Sequence, residues 1–138
     1  MNRIPLLLIP IAIYNLAVII FSLSALGGGQ ADFNLGSPWL VVGMNSPQSQ
    51  WHISLGDLIT FAGLICLFWE VLKSTNTTNA TLMNHTLSMF VFIGGLVEFL
   101  LLRQFATSAF FLLIVMTAMD VLAGFIITTI GARKDIGA

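Results

Sequence analysis

The stretch FFLLIVMTAMDVLAGFIITTI, residues 110–130, carries one ionisable side chain, Asp120, in a run of otherwise apolar and small residues. A helix rises about 1.5 Å per residue and a bilayer hydrocarbon core is roughly 30 Å thick, so a run of this length can cross it. A membrane β-barrel would need apolar and polar residues to alternate with a period of two, and this run does not. A helix, by contrast, satisfies its own backbone in lipid. The stretch therefore predicts a transmembrane helix with a carboxyl group near its middle.

Three more runs of this kind lie upstream. The spans are predicted at about residues 5–26, 54–73, 82–103 and 105–131, with an outer loop at 27–53 and an inner loop at 74–81. Residues 1–138 then form a single membrane domain, an all-α four-transmembrane-helix bundle. The composition agrees: 57% of the chain is hydrophobic and 8% is charged, against about 25% charged in a soluble domain. Its mean hydropathy is +0.97. A net charge of −1 gives no basic field for nucleic acid. The lone Cys66 rules out an intrachain disulfide and a cysteine metal site. The first run resembles a signal peptide in carrying Arg3, but its apolar core exceeds the 7 to 15 residues of that class, so it is read as a retained span.

Lys and Arg accumulate on the cytoplasmic side of membrane proteins. Here Arg3, Lys73, Arg133 and Lys134 fall on one side and Arg103 on the other, which places both termini in the cytoplasm. The acceptor patterns at Asn76, Asn79 and Asn84 then sit inside and read as chance. Pro10 is expected to bend the first helix. Gly27, Gly28 and Gly29 release that helix into the outer loop. The connection near Arg103 is short enough to make spans three and four antiparallel neighbours.

The outer loop contains WLVVGM (39–44) and QWHISL (50–55), β-favouring segments separated by a polar turn, which predicts a short extracytoplasmic β-hairpin. Such a hairpin is marginal alone, so it is expected to rest on the bundle as a cap. Trp39, Trp51 and Trp69 suit the headgroup zone as interface anchors. An irregular loop and a re-entrant segment are the weaker alternatives, the latter because nothing would pair the polar turn in hydrocarbon.

Ser54 and Asp57 have the spacing of a capping box, which makes a helix cap the plain reading of Asp57 and an outer-face cation or proton site the other. Glu70 and Lys73 are expected to pair at the surface, Lys73 snorkelling to the interface. Glu98 and Asp120 lie inside spans, where an ionisable group is costly. Small and polar stripes accompany them: Thr117, Asp120, Ala123, Gly124 and Thr128 in span four, Gly94, Gly95 and Glu98 in span three, and Ala12, Asn15 and Ser22 in span one. Asn15 and Asp120 come out at similar depth and are expected to be hydrogen-bond partners. Asn15, Glu98 and Asp120 form the candidate binding set, read as polar glue between helices, as a proton or cation relay, or as a docking face for a partner helix.

No enzyme is expected. His52 and His85 fall on opposite sides of the membrane and cannot share a haem or metal, no nucleophile has an adjacent base, and no phosphate loop follows a strand. No cofactor and no metal are assigned. The pattern of Trp51, Ser54, Gly56 and Asp57, then Phe68, Glu70 and Lys73, then Glu98 followed by Phe-Leu-Leu, resembles short four-span proteobacterial inner-membrane proteins. That resemblance implies a bacterial inner membrane and supplies no activity. The expected function is a small non-catalytic membrane component whose partners are the lipid bilayer and either its own copies or a larger membrane protein. The rivals are an oligomeric proton- or cation-linked carrier using Glu98 and Asp120, and a sensor reading the outer side through the 38–58 hairpin, for which a ligand-sized cavity beneath the hairpin is expected.

Overall fold

The computed structural model describes residues 4–27, 34–45, 49–74 and 79–137. Arg3, Gly28, Gly29, the hairpin turn at 46–48, Asn76 and the side chains of Asn79 and Lys134 fall outside what is described. The chain runs α1 (Leu8–Leu26), β1 (Pro38–Gly43), β2 (Gln50–Ser54), α2 (Leu55–Ser74), α3 (Asn79–Leu101), a single 3-10 turn (Arg103–Phe105) and α4 (Ser108–Gly137). Four helices are long and apolar enough to cross a membrane.

Helix α4 is the hub. It packs along both α2 and α3, whereas α1 leans mainly on α2. Apolar helices gain little from burial against one another in lipid, so close approach has to supply the attraction. Two glycines show how. A Cβ on Gly95 would overlap Ile114 of α4, and one on Gly63 would lie 2.6 Å from Leu113 and 3.1 Å from Met116. Leu113, Ile114 and Met116 therefore seat against bare backbone on two sides. With Phe110 and Ile59 they form the dry centre of the bundle.

Spans three and four are neighbours, joined by one tight turn. Leu102 N–H donates to the Glu98 carbonyl, and Thr107 caps α4 by accepting the Phe110 amide at 3.2 Å. Helix α4 consequently starts at Ser108, three residues later than predicted. Helix α3 starts at Asn79, three residues earlier.

Pro10 does not lie where a bend is required. Helix α1 begins at Leu8, so Pro10 occupies its first turn, where a missing backbone donor disturbs no interior bond. The buried face of α1 is Leu7, Ile11, Tyr14 and Val18, at the spacing of one helical stripe. Ala12 and Ser22 face outward; of the small-and-polar stripe expected there, Asn15 alone turns partly inward. Gly27 closes the helix by donating to the Leu23 carbonyl.

The hairpin forms with the pairs Val42–Trp51, Val41–His52 and Leu40–Ile53, and a bulge falls between Pro38 and Leu40. Proline has no N–H to give the ladder, and a bulge is where a strand accommodates it. The expected cap, however, is not seen. Both strands are exposed up to Ile53, with Trp39 at 72% and Trp51 at 58%. The reason lies in the junction: α2 starts at Leu55, immediately after β2 ends at Ser54. With no linker, the strand leaves the helix end directly, so β2 from Trp51 to Ile53 overhangs a groove between α2 and α4 rather than packing onto the bundle. The hairpin base is tied down by buried Leu35, whose carbonyl accepts the Gly56 amide at 3.0 Å.

Candidate functional site

The polar residues gather in two layers separated by the dry centre. Nearer the hairpin end, Asn15 donates to Glu98 at 3.1 Å and also to the Ile11 carbonyl at 3.2 Å. Beside it, the Tyr14 hydroxyl meets Thr107 Oγ1 at 2.6 Å, and its ring packs on Phe105 and Phe110 with centroids 5.6 and 4.7 Å away. The expected Asn15–Asp120 partnership is therefore replaced by Asn15–Glu98. Asp120 lies thirteen residues beyond Thr107, about 20 Å further along α4. Equal counting from the span ends fails because α1 is offset along the bundle, its Tyr14 already level with the start of α4.

The second layer lies at the other end, and its centre is Glu70. Expected at the surface, this carboxylate is completely buried. One oxygen accepts the Leu6 amide at 2.7 Å. The other takes the Asn84 side-chain amide and faces Lys73 Nζ at 3.5 Å. Lys73, expected to snorkel outward, turns in and also donates to the Ile4 carbonyl at 3.2 Å and to Asn84 Oδ1 at 3.3 Å. The cause is the N-terminal end of α1. That end carries partial positive charge, and the α2 carboxylate meets the amide of Leu6 in the turn just ahead of the helix. Glu70 thus joins α1, α2 and α3. Asn84 is 2% exposed, so its acceptor pattern is closed to modification in the folded chain.

One turn deeper, Asp120 is also completely buried, as is Ser88 to within 2%. The ring of His85 lies directly against Gly124, where any Cβ would overlap it. Both oxygens of Asp120, both ring nitrogens of His85 and the hydroxyl of Ser88 are buried without a hydrogen-bond partner among the described residues. Thr117, on the same face of α4, is satisfied by the Ile114 carbonyl. Among the described residues no group of three or more His, Cys, Asp and Glu could hold a metal ion.

At the hairpin base, Ser54 and Asp57 cap α2 reciprocally. The Ser54 amide and hydroxyl both donate to Asp57 Oδ2, at 2.9 and 2.7 Å, and the Asp57 amide donates to Ser54 Oγ at 3.2 Å. Beside this cap lies a groove of about 670 Å³ between α2 and α4. Trp51, His52 and Ile53 form its roof, Asp57 and Ser108 edge its mouth, and Phe61, Leu64, Leu112 and Met116 line its walls. His52 is exposed on the hairpin. Trp69 is 58% exposed near the far end of α2, edge-on to Phe68.

The residues that sequence reasoning passed over are Tyr14, Asn84, His85 and Ser88, together with the central role of Glu70. Tyr14 had a signal in its spacing from Leu7, Ile11 and Val18. No family model matches this chain, and neither does any curated protein or solved structure.

Proposed function

We propose that this protein is a small, non-catalytic component of a bacterial inner membrane that assembles with its own copies or with a larger membrane protein. The observation carrying this reading is the hairpin: Trp39, Leu40, Val41, Val42 and Trp51 are all exposed on its two strands. Scattered apolar residues on a surface need no explanation, but a contiguous apolar element joined directly to a helix suits contact with another body. The two faces of such a ribbon cannot both be covered by its own helices. Lys73 lies at one end with the start of α1, while Arg103 lies at the other. The charge rule then puts the hairpin outside and both termini in the cytoplasm.

Native mass spectrometry from lipid nanodiscs tests the assembly. Wild type is expected as an oligomer or with a co-purifying membrane protein, and Trp39→Ala with Trp51→Ala is expected to reduce that species. A monomer at all concentrations, with no companion, would remove the reading.

The carrier reading loses support from the spacing of its two acids. Glu98 is engaged by Asn15, Asp120 lies about nine residues, roughly 14 Å, along α4 from the level of Glu98, and Phe110, Leu113 and Ile114 fill the space between the layers. A sensor reading is favoured by one observation, the groove under Trp51 and Ile53, whose apolar walls and acidic mouth suit an amphiphile with a cationic head. Saturable quenching of Trp51 fluorescence by a long-chain alkylamine, abolished in Asp57→Asn, would support it. Identical quenching in both proteins would not.

A further inference from the structure

We propose that His85, Ser88 and Asp120 form a proton-binding site between α3 and α4 that holds one exchangeable proton, on either the imidazole or the carboxylate. The arrangement follows from helix spacing. His85 and Ser88 are three apart on α3, Asp120 and Gly124 four apart on α4, so each pair shares a face. Those faces meet where the His85 ring seats on Gly124. Asp120 and Ser88 are buried there, as are both ring nitrogens of half-buried His85, and none of these polar atoms has a hydrogen-bond partner among the described residues.

Charge accounting identifies the ligand. The charged and titratable groups around Asp120 are Glu70 and Lys73 from α2 and His85 from α3. The α2 thiol Cys66 lies within the field of Glu70, and among the described residues the turn ahead of α1 contributes the Leu6 amide and the Ile4 carbonyl to this layer. Glu70 and Lys73 cancel one another at 3.5 Å. Ionised Asp120 with neutral His85 would leave one uncompensated negative charge out of water, which is strongly unfavourable. A single proton brings the layer to neutrality, whether it resides on the imidazole or on the carboxyl. Lys73, 21% exposed, lies on the side from which the proton arrives. The apolar centre at Phe110, Leu113 and Ile114 closes the opposite side. The site therefore exchanges with one face of the membrane and provides no route through it. This holds whether or not the protein assembles as proposed above.

The test uses the full chain in nanodiscs, titrated from pH 5 to 9. Imidazole nitrogen resonances from ¹⁵N-labelled histidine follow His85, with exposed His52 as the internal reference. Carboxyl infrared bands from ¹³C-labelled aspartate follow Asp120. Asp120→Asn is expected to change the proton affinity of His85 at least tenfold and to leave His52 unmoved. His85→Gln should change the protonation of Asp120 by a comparable factor, since coupling between two sites is reciprocal. Should Asp120→Asn fail to fold, His85→Gln and Ser88→Ala carry the measurement through the carboxyl band alone. A change below twofold in the folded variants, or no titration of either group in the wild type, overturns the proposal.

Discussion

The two ends of this bundle invert each other. At the Glu70 end, a charged carboxylate is buried and bound to three separate segments of the chain, whereas at the hairpin end the interhelical contacts, Asn15–Glu98 and Tyr14–Thr107, are single and the hairpin itself is exposed, its Ser54–Asp57 cap being local. The difference teaches which end holds the fold and which is free to contact something else. A buried carboxylate serving one helix's N-terminal end and another's asparagine cannot be lost without exposing several partners at once. A capping box serves only the helix that carries it.

The strongest way to break this contrast is Glu70→Ala. It leaves Lys73 without a counter-charge and the Leu6 amide without an acceptor, and is expected to cost about 3 kcal/mol, the lower end for breaking a buried pair. Thermal unfolding in nanodiscs reads this directly, and an unchanged melting temperature would mean that the layer is not structural. Gly95→Leu comes next. It should push α3 off Ile114 and destabilise by roughly 1–3 kcal/mol, read as a lower midpoint in denaturant. Tyr14→Phe removes the hydroxyl that meets Thr107 Oγ1 and the Gln104 carbonyl while leaving Thr107 to cap α4, for an expected loss of about 1 kcal/mol.

Smaller effects sharpen the comparison. Asn15→Leu should lose only about 0.6 kcal/mol, the average for an interhelical hydrogen bond in a membrane; a loss as large as that of Glu70→Ala would make the two layers equals. Trp39→Ala and Trp51→Ala should leave stability within about 0.5 kcal/mol, as for ordinary surface changes, while lowering the assembled fraction in native mass spectra. A large stability loss there would mean that the hairpin belongs to the core after all.

Much of the architecture was legible because it depends on local pattern. Long apolar runs, the β-favouring segments on either side of a polar turn, and the Ser54–Asp57 spacing each act over a few residues. Glu70 was illegible for the opposite reason. Its spacing to Lys73 has an ordinary surface meaning, and its burial depends on Leu6, sixty-four positions away, arriving beside it. His85 was discounted because the third span was started at residue 82, which left it near the water. With α3 beginning at Asn79, His85 lies well inside the second turn. The exposed hairpin turned on a single position, the absence of any residue between strand and helix at Ser54–Leu55.

Helix α4, on which the others lean, leaves the ribosome after α1, α2 and α3. Until then α2 and α3 have little to hold them together beyond Asn84 reaching Glu70 and Lys73, and the glycine seats at Gly63 and Gly95 have nothing to receive. A translation intermediate stalled before Ser108 is therefore expected to sit in the bilayer as loosely associated spans that proteases cut readily. Protection should arrive in one step as α4 inserts.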